Sequence, residues 1–160
     1  FEIIRKKTAS LIASCCQIGA RTTTTDDTEI QKMKRFGELI GLAFQIRDDL
    51  FDFGENKSGK PAGLDIKDKK LTLPLIMALK GASASERRHV RSIMNSKQSD
   101  NIKITQIVTF IKSKGGIQSA YQKMNELRDE AFDVLNSIKS DSPYKENLRD
   151  LVNFVIDRTV

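Results

Sequence analysis

The stretch LIGLAFQIRDDLFDFGENKSGKPAGLDIKDKKLTLPL, residues 39–75, carries the strongest prediction about the fold. It opens as a nearly unbroken apolar run, in which Gln45 is the one polar residue among the first eight. A helix that is apolar on every face is expected to be buried on all sides. The same helix then places three carboxylates, Asp48, Asp49 and Asp52, close together at its end. A buried helix that ends in three anions needs positive charge beside it.

Apolar residues recur at intervals of three and four through the rest of the chain, which is typical of amphipathic helices. Residues 117–138 show the longest such run, and residues 104–111 and 148–156 show shorter ones. The positions predicted to face the core are Ile117, Ala120, Met124, Leu127, Ala131, Val134, Ile138, Ile104, Ile107, Val108, Ile111, Leu148, Leu151, Val155 and Ile156. A first helix is expected to reach about Ala20 and a second about Phe53. The sequence therefore predicts an all-α fold, without a linker that would divide it.

The polar turn RTTTTDD, residues 21–27, separates the first two predicted helices. Its threonine and aspartate side chains are suited to cap the second helix, because they accept hydrogen bonds from the first unpaired backbone N–H groups. Gly54 is the expected C-terminal stop of that helix, since glycine adopts the left-handed conformation in which many helices end.

The composition of the 160 residues, 39% apolar and 30% charged, is that of a soluble globular protein. No run approaches the roughly 20 apolar residues of a transmembrane helix and no leader is recognised, so a cytoplasmic protein without stable membrane insertion is expected. Cys15 and Cys16 have no other cysteine to pair with, which predicts two small core residues in a reducing compartment. The net charge of +6 fits a nucleic acid, a membrane surface or an anionic small molecule. A nucleic-acid partner is disfavoured, because the sequence shows no basic helical stripe interleaved with aromatic residues.

The acidic cluster is unfavourable where it stands, because each anion meets the negative end of the helix dipole at a cost of roughly 0.3–1 kcal/mol. Asp48 and Asp52 lie four residues apart on one face, with Gln45 one turn earlier. A Mg²⁺ ion would neutralise the cluster, because it prefers carboxylate oxygens and also binds substrate phosphates. A solvated helix end neutralised by Arg47 and nearby lysines is the alternative. The DDxxD pattern alone favours neither.

The segment after the cluster, residues 54–74, contains five lysines and is broken by glycine and proline. Carboxylates on a helix end and ammonium groups on the segment that follows suit a metal-bound polyphosphate, whose remaining charge the lysines neutralise. A solvated loop would also be rich in lysine and glycine, but it would not need to follow a buried acidic helix. The segment thus favours the metal site.

Four stretches, in order along the chain, resemble the trans-type polyprenyl diphosphate synthases, the isoprenoid chain-elongating enzymes. GLAFQIRDDLFDF, residues 41–53, resembles their second aspartate-rich motif, and IIRKKTASL, residues 3–11, resembles their Lys-Thr segment. GKPAGLDIKDKKLTLPL, residues 59–75, resembles their phosphate loop, and LVNFVIDRTV, residues 151–160, their C-terminal ending. The resemblance implies that residues 1–160 are the C-terminal portion of one synthase domain, within the helical bundle of the class I isoprenoid synthases.

The resemblance also assigns roles to individual residues. It implies that Asp48, Asp49 and Asp52 hold Mg²⁺ against an allylic diphosphate, with Asp48 the first candidate for a direct ligand. The lysines implied to contact that diphosphate are Lys7, Lys60 and Lys70. The residues implied to line the allylic pocket are Thr8 and Gln45. Two choices rest on local pattern: Lys7 is preferred to Lys6 because it precedes Thr8, and Lys70 to Lys69 because it precedes LTLP.

The chemistry implied by the resemblance is ionisation of the allylic diphosphate, followed by attack of the double bond of isopentenyl diphosphate on the carbocation. Mg²⁺ and lysines stabilise the leaving diphosphate as its charge develops. Thr8 and Gln45 would stabilise the cation through their oxygen dipoles. The single histidine, His89, lies far from every motif and is expected at the surface.

One departure from the family is the first aspartate-rich motif, which does not occur in these 160 residues: TDDTE is a turn, and RDEAFD, residues 128–133, lies on the polar face of a helix. The chain is therefore expected to be the C-terminal half of a synthase, inactive alone and homodimeric when complete. The TLPL phrase and the ending lean towards medium or long products, as in octaprenyl diphosphate synthase. A noncatalytic subunit of a heteromeric prenyltransferase and another class I terpenoid synthase remain as alternatives.

Overall fold

The computed structural model describes residues 2–53, 63–140 and 142–157. The helices are α1 (Glu2–Ile4), a π-helical turn (Arg5–Ala9), α2 (Ser10–Arg21), α3 (Asp27–Phe51), α4 (Leu64–Lys67), α5 (Leu73–Lys80), α6 (Ala84–Asn95), α7 (Asp100–Ser113), α8 (Gly116–Asn136) and α9 (Tyr144–Asp157). These three ranges contain no β-strand, and the predicted all-α fold is confirmed. Of the helices they contain, none combines the length and the apolarity needed to cross a bilayer.

Two compact units make up the chain, one from residues 1–47 and 123–159 and the other from residues 48–122. The boundaries fall inside α3, after Arg47, and inside α8, after Gln122. At these two points the units are joined by continuous helix rather than by a loop.

In the first unit, α3 carries glycine where it meets the N-terminal helices. A Cβ atom at Gly41 would lie 2.5 Å from the Cα atom of Ala9, and one at Gly37 would lie 2.8 Å from the carbonyl oxygen of Ile12. Real Cβ atoms do not come this close to backbone atoms, so only glycine allows the helices to approach as they do. The contact packs the end of the π-helical turn directly against α3.

The core of the first unit includes the apolar stripes of α8 and α9. Met124, Leu127 and Ala131 are buried as predicted, but Leu135 rather than Val134 continues the stripe. In α9 the prediction was wrong at Leu151, which is 56% exposed, while its neighbour Val152 is buried. Adjacent apolar residues both fit a period of 3.6, and the rotation of the helix about its axis decides which of them is buried.

The prediction that the apolar part of α3 is buried on all sides was wrong for one face. Leu39, Leu42 and Ile46 are buried, whereas Ile40 and Phe44 are half-buried. The two half-buried side chains line an apolar groove of about 280 Å³ together with residues of α2 and α9.

The prediction that both cysteines are core residues was also wrong. Cys15 is exposed and Cys16 is half-buried, with its Sγ atom in the close contact at Gly37. Successive side chains on a helix point about 100° apart, so burying one of the pair turns the other towards solvent. Burial, and to a smaller extent the charge of Cys15, raises the pKa of the Cys16 thiol.

The second unit has its own core, formed by α4, α5, α6, α7 and Phe53, which lies just after α3. The buried side chains are Phe53, Ile66, Leu75, Ala78, Val90, Ile93, Ile107 and Ile111. Of the predicted core positions in α7, Ile107 and Ile111 are fully buried, and Ile104 and Val108 are partly buried. Gly63 packs on this core with a positive φ of 85°, and a Cβ atom there would lie 2.4 Å from the Ile104 side chain. Glycine is required at this position on both grounds.

The beginning of α3 agrees with the prediction, and its end does not. The Asp26 carboxylate accepts a hydrogen bond from the Thr28 N–H at 2.9 Å, and this bond is the main cause that lowers the pKa of Asp26. The helix ends at Phe51, two residues before the predicted end. The expected stop, Gly54, lies outside the described residues.

Candidate functional site

The three carboxylates of the acidic cluster have different surroundings in the second unit. Asp48 is exposed, whereas Asp49 and Asp52 are half-buried. The Asp49 Oδ2 atom accepts a hydrogen bond at 3.1 Å from the backbone N–H of Leu73, the first residue of α5. Thr72, at the cap position of α5, makes no side-chain capping bond of its own. Asp49 therefore caps α5 from a distant point in the sequence.

Asp52 accepts two backbone hydrogen bonds from the start of α4. The Gly63 N–H donates to Oδ1 and the Asp65 N–H donates to Oδ2, both at 3.1 Å. The main-chain oxygen of Asp52 also accepts from the Gly63 N–H, at 3.2 Å. Asp49 and Asp52 together therefore anchor both ends of residues 63–73 to the end of α3.

In this arrangement the three carboxylates do not converge on a single point where one ion could bind all of them. Among the described residues, no group of three His, Cys, Asp or Glu side chains converges to hold a metal. A Mg²⁺ ion needs no such group, because it commonly takes one or two carboxylates, substrate phosphates and water. The exposed carboxylate of Asp48 suits that kind of ligand set.

Of the lysines assigned to the diphosphate, Lys70 is described in the second unit and Lys60 is not among the described residues. Lys70 is exposed, and its Nζ atom lies 2.8 Å from Asp65 Oδ1 and 3.4 Å from Asp68 Oδ2. The hydrogen bond to Asp65, and then the charges of Asp65 and Asp68, raise the pKa of Lys70. His89 is exposed, as predicted.

Lys7 and Thr8 lie in the first unit, within the π-helical turn. The backbone N–H of Ser10 donates to the Arg5 carbonyl, five residues back, and the Ser10 hydroxyl donates at 2.9 Å to the Lys6 carbonyl that this shift would leave unpaired. Such turns are frequently found at functional sites. The turn could not be foreseen from the sequence, since its residues are those of an ordinary helix.

Thr8 contacts Gln45 directly, although the two residues are 37 apart in sequence. The Thr8 hydroxyl donates a hydrogen bond of 2.9 Å to Gln45 Oε1 in a partly buried position. The structure thus brings together the two residues that were assigned to the allylic pocket. Of the neighbouring lysines, Lys6 pairs with Glu2 at 2.8 Å, whereas Lys7 has no ion-pair partner in the part of the chain that the structure describes.

Sequence reasoning missed Asp65 and Ser10. Asp65 joins Asp52 to Lys70 through its N–H and its carboxylate, and Ser10 closes the π-helical turn. The GLD phrase could have drawn attention to Asp65, because an acidic residue at the start of a helix is stabilised by the helix dipole. Nothing in the sequence indicated the role of Ser10.

Comparison with known proteins decides the family. Residues 1–111 match the family model described as polyprenyl synthetase. The chain belongs to the polyprenyl synthetase family. The predicted relationship to the isoprenoid synthases, and with it the class of helical bundle, is confirmed.

The relatives of this chain include curated proteins and solved structures. Heptaprenyl diphosphate synthase component 2 from Geobacillus stearothermophilus is 31% identical over 154 residues, which cover 95% of this chain and 47% of that protein. The geranylgeranyl pyrophosphate synthase structure from Bacteroides thetaiotaomicron has a TM-score of 0.87 at 34% identity, covering 99% of this chain and 52% of that one. The geranylgeranyl pyrophosphate synthase of Corynebacterium glutamicum, complexed with calcium and isoprenyl diphosphate, has a TM-score of 0.82 at 31% identity, covering 98% and 48%. The chain spans about half the length of the curated relatives that it matches.

Proposed function

We propose that the complete protein is a Mg²⁺-dependent prenyltransferase that condenses isopentenyl diphosphate with an allylic diphosphate to make a polyprenyl diphosphate. The observation that carries the proposal is that the carboxylates of the acidic cluster have different surroundings. Asp49 and Asp52 accept hydrogen bonds from backbone N–H groups of residues 63–73, and the side chain of Asp48 is accessible at the surface. In a family of diphosphate-using relatives, an exposed carboxylate beside an anchored lysine segment suits a metal-bound diphosphate.

Asp48 is the residue that we assign to hold Mg²⁺, with Asp49 and Asp52 close to it in sequence. When bound, the ion would act as a Lewis acid on the departing diphosphate. The related Corynebacterium glutamicum protein forms a complex with calcium and isoprenyl diphosphate, which supports a divalent cation as the partner of a diphosphate in this family.

Lys7, Lys60 and Lys70 are assigned to the diphosphate oxygens. Each would stabilise negative charge as the allylic carbon–oxygen bond breaks, since preformed charges aimed at a developing anion lower the barrier. Because the Thr8 hydroxyl donates to Gln45 Oε1, the lone pairs of the Thr8 oxygen stay available to face a carbocation. Thr8 and Gln45 would thereby stabilise the cation that isopentenyl diphosphate attacks.

The finer features of the proposal rest on the family resemblance. They are a cytoplasmic homodimer as the working form and a product of medium or long chain. The test is to incubate the complete protein with radiolabelled isopentenyl diphosphate and farnesyl diphosphate, with Mg²⁺ or with excess chelator, and to extract the labelled polyprenyl products. We expect product with Mg²⁺ and none in chelator. Equal turnover in chelator would contradict the proposal, and so would the absence of product in Mg²⁺ with every allylic substrate from dimethylallyl to geranylgeranyl diphosphate.

Residues 1–160 should give no product in the same assay. They contain one aspartate-rich motif of the kind that holds metal, and they span about half the length of the relatives. Labelled polyprenyl product from the purified 160-residue chain would show that this half of the domain suffices for catalysis.

A second candidate is one subunit of a heteromeric synthase. The observation in its favour is the relative from Geobacillus stearothermophilus, which is named as component 2 of a heptaprenyl diphosphate synthase. Purification from the native host separates the candidates: a homodimer retains activity as one polypeptide, whereas a heteromeric synthase loses activity until a second polypeptide is returned.

A further inference from the structure

The end of α4 turns the chain back on itself, so that Lys70 returns to the start of the helix. The Lys69 N–H donates to the Ile66 carbonyl at 3.0 Å, and the Lys70 N–H donates to the Asp65 carbonyl at 2.8 Å. This pair of bonds is the Schellman motif, and its left-handed residue is Lys69, with φ of 54°. Glycine usually occupies that position, because a residue with a Cβ atom adopts the left-handed conformation only at a steric cost. A lysine there indicates that its surroundings impose the conformation.

The side chains of Lys70 and Asp65 form an ion pair in addition to the backbone hydrogen bond between the two residues. Lys70 Nζ lies 2.8 Å from Asp65 Oδ1 and 3.4 Å from Asp68 Oδ2. An ammonium group has three N–H donors, so two carboxylate contacts leave one donor for a ligand oxygen. The ammonium is thereby fixed in position by two contacts and still able to bind.

Asp65 is itself fixed from the other side. Its backbone N–H donates to Asp52 Oδ2 at 3.1 Å, and the other oxygen of Asp52 accepts from Gly63. The Asp65 side chain is 24% exposed, against 57% for Lys70, so Asp65 is the more buried partner of the ion pair. A continuous path of contacts thus runs from Asp52 through Asp65 to the Lys70 ammonium.

We propose that Asp65 is a positioning residue, which holds the Lys70 ammonium ready for the diphosphate and couples its position to Asp52. The inference rests on the proposed function, since it assigns a partner to one of the diphosphate lysines. Its physical basis is entropy: a lysine side chain that is already ordered loses less rotamer freedom when the ligand binds.

The test is a double-mutant cycle in the complete protein, read as kcat/KM for the allylic diphosphate. Lys70→Gln should lower kcat/KM about tenfold or more, as expected for a lost hydrogen bond between charged groups. Asp65→Asn should lower it about two- to fivefold, the range of partly exposed ion pairs, and should have no further effect in the Lys70→Gln background. Asp65→Glu, which keeps the charge, should recover most of the loss.

The matched control is Asp100→Asn, because Asp100 pairs at 3.7 Å with Lys67, the last residue of α4, and at 3.5 Å with Lys103, and neither lysine has an assigned role. This variant should leave kcat/KM unchanged. Equal effects of Asp65→Asn in both backgrounds would overturn the positioning role, because a merely structural residue gives additive effects. If Lys70→Gln itself leaves kcat/KM unchanged, the assignment of Lys70 in the proposed function fails, and the positioning role fails with it. Amide hydrogen exchange across residues 63–73 shows whether Asp65→Asn has kept α4 folded, and Asp65→Glu carries the test if it has not.

Discussion

The aspartates of the acidic cluster differ in their contacts and in their exposure, although they belong to one sequence motif. Asp49 and Asp52 accept backbone N–H groups 24, 11 and 13 residues further along the chain, and Asp48 remains exposed. A carboxylate that accepts backbone N–H bonds replaces the water that those groups would otherwise need. Mutations within the motif are therefore expected to separate into a class that changes stability and a class that changes activity.

The first prediction is that Asp52→Ala destabilises the protein. The variant removes the carboxylate that accepts from the Gly63 and Asp65 N–H groups, while the main-chain oxygen at position 52 still accepts from Gly63. We expect a loss of about 1–3 kcal/mol in the free energy of unfolding, measured in urea. Asp133→Ala, an exposed aspartate of α8, is the control and should change stability by less than about 0.5 kcal/mol. Equal stabilities of the two variants would show that the anchoring bonds contribute nothing.

Between helices, close approach depends on glycine at a few positions. Gly41 sets the contact of α3 with the π-helical turn, whereas a Cβ atom added at Gly19 of α2 would have no atom within 4 Å. The same substitution should therefore have opposite effects at the two sites.

We predict that Gly41→Ala lowers the free energy of unfolding by about 1–3 kcal/mol, since the new methyl group meets the Ala9 backbone. Gly19→Ala should raise it by up to about 1 kcal/mol, because alanine restricts the unfolded chain and favours the helix. Circular dichroism melts of both variants measure the difference. A Gly41→Ala protein as stable as Gly19→Ala would mean that the two helices do not pack as described.

The contact between the start of α6 and the end of α7 predicts a dependence of stability on pH. Glu86 forms a capping box with Ser83 and an ion pair of 2.8 Å with Lys114. The hydrogen bond from Lys114, followed by those from Ser83, lowers the pKa of Glu86 from 4.5 to about 2. Because the folded pKa is lowered, the ionised carboxylate stabilises the protein fully above about pH 4.5, and this contribution is lost as the pH falls towards 2.

The measurement is urea unfolding of wild type and Glu86→Gln at pH 6 and at pH 3. The stability difference between the two proteins should be larger at pH 6. In a Lys114→Gln background most of this pH dependence should disappear, because the main cause of the lowered pKa has been removed. A difference that is the same at both pH values would contradict the assignment.

The sequence predicted the helices well, because their apolar period is a local property. It predicted less well which of two adjacent apolar residues is buried, as at Leu151 and Val152, since that depends on packing partners. It also predicted that the acidic cluster matters, but it could not show that Asp49 and Asp52 bind backbone N–H groups. A backbone donor leaves no mark in the sequence, and neither does a π-helical turn.

At the scale of the whole molecule, most of the exposed large apolar side chains among the described residues lie in the first unit, and several of them are on α2 and α9. Leu11 and Ile18 of α2 are 69% and 65% exposed, and Phe154 of α9 is 72% exposed. The apolar groove of this unit is lined by further residues of α2, α3 and α9. Surfaces of this kind usually mark a contact with another chain or segment.

We predict that the purified 160-residue chain self-associates. Light scattering at high protein concentration should give a mass of at least a dimer, because covering the apolar side chains releases water from them. Leu11→Glu combined with Phe154→Glu should shift the mass towards the monomer, whereas the doubly charged control Lys97→Glu with Lys123→Glu should not. A monodisperse wild-type monomer with a sharp melting transition would show that these faces need no partner.

The role of the acidic cluster is best tested by Asp48→Asn in the complete protein, measured as turnover over a Mg²⁺ titration together with the melting temperature. The variant keeps the shape of the side chain and removes its charge, so turnover should fall about 10²–10³-fold if Asp48 holds the ion that stabilises the leaving diphosphate. The melting temperature should stay the same or rise slightly, because an anion has been removed from the negative end of a helix dipole. Asp133→Asn should change neither quantity. Wild-type turnover in Asp48→Asn, with an unchanged dependence on Mg²⁺, would contradict the catalytic assignment of the acidic cluster.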